Sequence, residues 1–501
     1  MDTTTTAAFT PRSAPAFRWS ESELRQTGYR VVDLLAGYLT ALQEKPVFSP
    51  MSGDEAARCQ AAPLPIDGTA IEALLDDFQR NIAPHPFGNG HARFFGWVNS
   101  PPAPVAVLAE LLAAGMNPSV AGGNHAAVYV ERAVVNWFKS LLGFPDTSMG
   151  LLTSGGSGAA LTALAVARHV ACAKAGRSVR EDGLQGARMK LVVYRSAETH
   201  SCHQKAVEVL GIGSGNLRTV PCDGALRMSP RHLDAFIRED LTDGRIPVAV
   251  VANAGTVNTG AIDPLDDIAN VCRAYGVWLH VDGAYGAPAI LAERYKAPLS
   301  QVSRADSVAL DPHKWLYVPV EAGMVLVRNA QAMRDTFSLV PPYLRTDGNE
   351  EGVQGPPWFS EFGVQQTRGF RALKIWMAMR YFGVNGYRSL IEHDIEMADY
   401  LARRVRAAPG FQVREPTSLS IVCFRYAPRT PGCDDAQLTA LNKRILSHVQ
   451  LGGAAFLSGT VIDNRFWLRA CVVNPLTTRA DIDLLVGAVL AATECAGEAP
   501  Q

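Results

Sequence analysis

The 501-residue chain has no uninterrupted apolar run of about 18 residues, the length that spans a bilayer, so no transmembrane helix is expected. It has no excess of either charge: 47 Lys and Arg against 48 Asp and Glu leave a net charge of -1. Nucleic acid and anionic membrane surfaces are therefore given no electrostatic handle. The nine cysteines are scattered from Cys59 to Cys495 without any CxxC spacing. They form neither a disulfide framework nor a metal set, and a reducing, cytoplasmic location is the expectation. Met1 to Arg18 has no charged n-region and no apolar h-region, so this Thr-, Ala- and Pro-rich stretch reads as a disordered arm rather than a secretory signal. A Walker GK[ST] ending is missing too, which disfavours a nucleoside triphosphate.

What is present is an ordinary globular composition, 48% apolar and 19% charged, at a length that favours two or three packed units. Ser20 to Leu42 has the acidic start and the helical spacing of a capped amphipathic helix. Prolines then punctuate the chain up to a second helix near Ala70 to Asn81. These opening residues hold no self-sufficient core, and they are expected to pack as an arm on another subunit or within the chain.

From about residue 125 helices alternate with short β-branched runs. Strands are predicted at Lys190–Tyr194, Ile246–Asn253, Val277–Asp282, Ser307–Asp311 and Gly323–Val327. Alternation of this kind implies an α/β fold with a mainly parallel sheet and helices on both faces. Its ligand belongs beyond the carboxyl ends of the strands. After a long helical stretch the pattern changes to a smaller α+β unit, with strands at Phe411–Arg414, Ser420–Arg425 and Phe466–Val473. The organisation expected is an arm (1–95), a large α/β domain (96–385) and a small C-terminal domain (386–501).

The chemistry concentrates in two runs. One is Asp311-Pro312-His313-Lys314-Trp315; the other, ending a strand, is His280-Val281-Asp282-Gly283-Ala284-Tyr285. A lysine able to form a Schiff base and an aspartate able to keep a ring nitrogen protonated are what pyridoxal phosphate (PLP) catalysis requires. Upstream, Thr153-Ser154-Gly155-Gly156-Ser157-Gly158 places bare backbone N–H groups at a helix start, where a phosphate dianion is favoured, although the same residues also suit a plain capping turn. His200 follows the Leu191–Tyr194 strand and is a candidate to stack on the pyridine ring. Cys202 and His203 beside it invite a metal, but no further ligands stand out in the sequence, and no metal is expected.

Together the runs around Thr153–Ser157, Thr199–Ser201, His280–Tyr285 and Asp311–Trp315 resemble the group II pyridoxal-dependent decarboxylases, the aromatic-L-amino-acid decarboxylase group. The likeness extends in order from about Trp19 to Ile482. It implies the aspartate aminotransferase-like fold, PLP-dependent transferase fold type I. It also implies a homodimer with active sites at the subunit interface. By this resemblance Lys314 carries the cofactor, Asp282 pairs with the ring nitrogen, and His200 and Ala284 take the two ring faces. Gly155, Gly156, Ser157 and His313 match the phosphate positions, as does Asp311, where relatives often have another polar residue. Thr256 fits near the ring oxygen. Tyr343 matches the tyrosine of a loop that protonates the substrate carbon and so gives an amine rather than an aldehyde.

This chain departs from the aromatic-specific pattern at Gly96–Ser100 and Ser119–His125, where bulky aromatic residues are usual. Phe94, Trp97 and Trp358 are candidates to line the pocket, and His125 to face the substrate; each has a purely structural alternative. Decarboxylation of an L-amino acid, aromatic by preference, is the expected reaction. The alternatives are oxidative decarboxylation to an aldehyde, a non-aromatic substrate, or an aminotransferase in which Arg469 clamps a carboxylate.

Overall fold

A computed structural model describes residues 17–186, 189–339, 358–428 and 434–497. Its strands, in chain order, are β1 (Phe94–Phe95), β2 (Met149–Thr153), β3 (Leu191–Ser196), β4 (Leu217–Val220), β5 (Ile246–Asn253) and β6 (Trp278–Asp282). They continue with β7 (Ser307–Leu310), β8 (Gly323–Val327), β9 (Phe411–Val413), β10 (Ile421–Tyr426), β11 (Phe456–Ile462) and β12 (Arg465–Cys471).

Seven strands form one sheet in the order β2-β8-β7-β6-β5-β3-β4. It is parallel except at β8, which runs antiparallel to both β2 and β7. The central strands are mainly apolar because both faces are covered. Val250, Val281, Val308 and Leu326 have no exposed surface, and such burial contributes about 1.5–3 kcal/mol per side chain. Helix Gly156–Lys174 packs across β5 to β8 through its small residues Ala159, Ala160 and Ala163.

A second sheet has the order β1-β11-β12-β10-β9 and packs against helices Asp435–Leu451 and Ala372–Ala407, with helix Arg479–Gly497 lying against both. The sequence pattern misses β11, although it is the partner of β12. Phe94 and Phe95 pair in parallel with Phe456 and Leu457, so the end of the N-terminal segment is built into the C-terminal sheet. The predicted long helix is Ala372–Ala407, interrupted by Gly383 at φ 64. A left-handed residue cannot continue a right-handed helix, and glycine adopts it without steric cost.

Ser20 caps helix Glu21–Ala41 with a reciprocal Ser20–Glu23 capping box. None of that helix is buried, and Trp19, Leu24, Tyr29 and Val32 are exposed. Among the described residues no helix is long and apolar enough to cross a membrane.

Candidate active site

The carboxyl ends of β2, β3, β5, β6 and β7 lie along one edge of the large sheet, and the residues singled out in the sequence follow those ends. Asp282 is the last residue of β6, and the turn with His313 and Lys314 follows β7. That turn is held on both sides. The Asp311 N–H donates to Ala284 O at 3.2 Å, the Lys314 N–H to Asp311 O at 2.9 Å, and the His313 N–H to Ala322 O at 3.2 Å. Trp315 is fully buried, stacked on Tyr285 at 5.0 Å, and donates its indole N–H to Asp394.

Lys314 Nζ lies 2.9 Å from Asp311 Oδ2, with a quarter of its side chain exposed. Burial alone would favour the neutral amine, but Asp311, and Asp282 behind it, hold the ammonium above its ordinary range. Burial would likewise protonate Asp282, yet His203 and Lys314 keep that carboxyl below its ordinary value. Asp282 Oδ1 accepts the Ala284 N–H at 3.1 Å, and Oδ2 lies 3.7 Å from His203 Nδ1. Burial lowers both His200 and His313, so both imidazoles are neutral at physiological pH. Each uses Nδ1 as an acceptor, His200 from the Cys202 N–H at 3.2 Å and His313 from the Ala322 N–H at 3.0 Å. Their Nε2–H groups are left as donors.

The glycine run opens helix Gly156–Lys174 with Gly155 at the N-cap. A Cβ on Gly156 would stand 2.9 Å from Asp311 Oδ2 and 3.3 Å from Ala284 Cβ; one on Gly155 would stand 3.4 Å from His313 Cε1. Gly155, Gly156, Ala284, Asp311 and His313 therefore converge at the N-terminus of a 19-residue helix. Gly323 of β8 lies directly against Gly155, with a hypothetical Cβ 2.3 Å from Gly155 Cα. Its close approach was not singled out from the sequence. Asp311 Oδ1 is buried without a partner, and a bare helix N-terminus faces it. This donor and acceptor set fits an anionic, aldehyde-bearing heterocycle: a helix end for the phosphate, a lysine for the aldehyde and a carboxylate for a ring N–H.

Thr256 is buried; its hydroxyl accepts the Ala261 N–H and lies 3.1 Å from Thr259 Oγ1. A buried network underlies the His200 loop. Asp263 accepts from the Met228 N–H, the Asn253 N–H and the Asn253 amide at 2.7–2.9 Å, and that amide also reaches Thr199 Oγ1 at 3.2 Å. Neither Asp263 nor Asn253 carries a sequence motif; only their convergence in space identifies them.

The remaining candidates fall into two groups. Trp358 lies against Gly122, where a Cβ would stand 2.0 Å from the indole Cγ, and His125 Nε2 is 3.2 Å from Gly122 O. Phe94 and Trp97 form a separate aromatic cluster with Phe87 and Phe456. In it Phe94 is buried and stacked on Phe456 at 5.0 Å, and Trp97 is half exposed. Arg469, the residue that raised an aminotransferase, is buried and donates to the carbonyls of Val257, Asn258 and Trp97 at 2.9–3.1 Å. Tyr343 lies outside the described residues. Cys202, His203 and Asp282 bring three potential metal donors within 4.8 Å of one another, so the third group that the local sequence lacked comes from β6. Burial pushes the Cys202 thiol up to about 12, which opposes the thiolate that a metal would require.

A lysine and an aspartate at neighbouring strand ends, beside a glycine-lined helix N-terminus, define a fold type I pyridoxal phosphate enzyme. Residues 54–427 match the pyridoxal-dependent decarboxylase conserved domain. The chain is 38% identical over 465 residues to an aromatic-L-amino-acid decarboxylase of Bacillus atrophaeus, covering 92% of this chain and 94% of that protein. It is 30% identical to a phenylacetaldehyde synthase of Petunia hybrida, with 92% of each covered. The crystal structure of Oryza sativa TDC with PLP and tryptamine superposes with a TM-score of 0.87 at 25% identity, covering 97% of this chain and 99% of that one. The chain belongs to the pyridoxal-dependent decarboxylase family and is a PLP-dependent amino-acid decarboxylase.

Proposed function

We propose that this enzyme converts an aromatic L-amino acid to the corresponding amine and CO2, with the residues above in the roles their geometry suits. The observation that carries the assignment of roles is the convergence of Lys314, Asp282, His200 and the Gly155–Gly156 helix start on one strand edge. Lys314 would hold PLP through its aldehyde, and the bound cofactor would supply an electron sink for decarboxylation. Asp282 holds the proton on the ring nitrogen. If that contact raises the ring pKa by about two to three units, it contributes about 3–4 kcal/mol. His200 and Ala284 hold the ring between them. Gly155, Gly156, Ser157 and His313 would hold the phosphate, Asp311 pairs with the Lys314 ammonium of the cofactor-free site, and Thr256 would lie at the ring oxygen.

The substrate class rests on relatives named for aromatic amino acids, including the Bacillus enzyme and a tryptophan decarboxylase of Oryza sativa. Trp358 and His125, with Phe94 and Trp97 from the second cluster, are assigned to the pocket. Tyr343 is assigned to protonate the substrate carbon, which selects amine over aldehyde. Arg469 is committed through Nε and Nη1 to backbone carbonyls, and only its buried Nη2 is without a partner, which favours decarboxylation over transamination by a two-nitrogen carboxylate clamp.

The domain division is placed at 95/96 and 385/386. The protein is assigned to the cytoplasm, in keeping with its unpaired cysteines, and to a homodimer in which the unburied N-terminal helix and its exposed apolar residues cover a second copy. Incubating the purified enzyme with a panel of L-amino acids, and measuring CO2, amine, aldehyde and ammonia, tests the reaction. Stoichiometric aldehyde and ammonia would move it to the oxidative branch, and dependence on a keto acid would make it an aminotransferase.

A further inference from the structure

We infer that His203 is a positioning residue for Asp282, gripping the carboxylate from behind so that it faces the cofactor ring nitrogen; the inference rests on the PLP reading of the site. His203 is fully buried in the first turn of helix Cys202–Val209, immediately after the loop that carries His200. Its Nδ1 lies 3.2 Å from His200 O and 3.7 Å from Asp282 Oδ2. Both of these oxygens are acceptors, and the third neighbour, Cys202 Sγ at 3.5 Å, is only a weak donor or acceptor, so the hydrogen of the imidazole belongs on Nδ1, directed between the two oxygens. Asp282 then accepts the Ala284 N–H at Oδ1, while the His203 Nδ1–H, within hydrogen-bond distance of His200 O, faces Oδ2 at 3.7 Å as an electrostatic contact, and the remaining lone pairs are free for the ring.

The surroundings support that tautomer. His280 is on the same strand and the same side as Asp282, with its ring centroid 5.5 Å from that of His203. Ser307 Oγ accepts the Trp278 indole N–H at 2.8 Å and can give its own hydrogen to His280 Nδ1 at 2.9 Å. That leaves His280 with a donor at Nε2 and His203 with an acceptor at Nε2, and neither of these atoms has a hydrogen-bond partner in the structure. Burial holds His280 down to about 3, so it is neutral and adds no charge behind Asp282. An apolar side chain would fill the His203 site without burying an unpaired nitrogen. What the imidazole supplies beyond packing is its Nδ1–H toward Asp282. One loop thus carries both the residue that stacks on the ring and the residue that aims its counter-ion.

The test uses the full-length enzyme, with His203→Leu to remove the donor and His203→Asn to return an N–H near the Nδ1 position. Three readouts are taken: the PLP dissociation constant by fluorescence titration of the apoprotein, the 15N chemical shift of ring-labelled PLP in the holoenzyme, and kcat and KM separately. His203→Leu should weaken PLP binding about tenfold and lower kcat about tenfold with KM nearly unchanged, the equivalent of about one pKa unit at the ring. It should also shift the ring 15N signal toward the unprotonated value, and His203→Asn should restore most of all three. An unaltered 15N shift and unaltered PLP affinity in His203→Leu would overturn the inference, and so would a stoichiometric metal in the wild type that this variant loses. Hydride trapping of PLP on Lys314 in the same preparations separates this failure from failure of the site reading, which would leave the wild type itself unlabelled.

Discussion

Trp315 donates its indole N–H to Asp394 over 2.8 Å, and Tyr317 donates its hydroxyl to the same oxygen, also at 2.8 Å. The residue that follows Lys314 is thereby tied to the long helix Ala372–Ala407 through one buried carboxyl group. Burial pushes that group up to about 8, so it is protonated in the folded protein at neutral pH. A carboxyl whose folded pKa exceeds its unfolded value contributes stability that is complete below about pH 4. The contribution is lost as pH rises through the folded value. Asp394→Asn resembles the protonated acid and does not titrate. The melting temperature of the wild type relative to this variant should fall steadily from pH 5 to pH 8 and level off above about pH 9; a difference independent of pH would remove Asp394 from this role.

Lys314→Ala should bind PLP without a covalent link and lose about three orders of magnitude or more in kcat, about 4 kcal/mol of barrier. Borohydride treatment followed by peptide mass spectrometry should locate the adduct on Lys314 in the wild type and nowhere in the variant. An adduct on another lysine would dismantle the site as described.

Gly323→Ala places a methyl group 2.3 Å from Gly155 Cα, and Gly156→Ala places one 2.9 Å from Asp311 Oδ2. The first meets backbone and cannot be relieved by a rotamer change; the second can be relieved by a small movement of Asp311. Gly323→Ala should therefore lose measurable PLP binding, while Gly156→Ala should weaken it by about tenfold, 1.4 kcal/mol. Equilibrium titration of the apoproteins ranks the two, and the reverse order would show that the cradle is not built on the Gly155–Gly323 contact.

Asp263→Ala strands three buried donors, from Met228 and Asn253, and should cost at least about 3 kcal/mol at roughly 1–3 kcal/mol per orphaned group. Because Asn253 also holds Thr199, the loss should extend to the His200 loop and weaken PLP binding as well. Denaturant unfolding and cofactor titration on the same variant check both parts.

Gly122→Ala would put a methyl group 2.0 Å from Trp358 Cγ and displace the indole. With Trp358 in the substrate pocket, KM should change severalfold while the PLP dissociation constant stays within about twofold, since neither residue touches the phosphate cradle. Steady-state kinetics beside cofactor titration distinguish this from general unfolding.

The chain by itself determined the parallel sheet, because largely buried strands such as Ile246–Asn253 are written as mostly apolar, Val-rich runs between amphipathic helices. It singled out Lys314 and Asp282 for a related reason, since Asp282 ends β6, Lys314 lies in the turn after β7, and strand ends mark where a ligand sits. Local pattern did not reveal the edge strand Phe94–Phe95, whose partners Phe456 and Leu457 lie hundreds of residues away, and it missed β11 although that strand forms a hairpin with β12. Nor could it reveal that Gly323 supports Gly155, or that His203 stands behind Asp282. Those relationships depend on which strands are neighbours and on distances of 2–4 Å between side chains from separate elements. Only tertiary packing sets such distances, because a strand's own sequence fixes which way its side chains point but not what they meet.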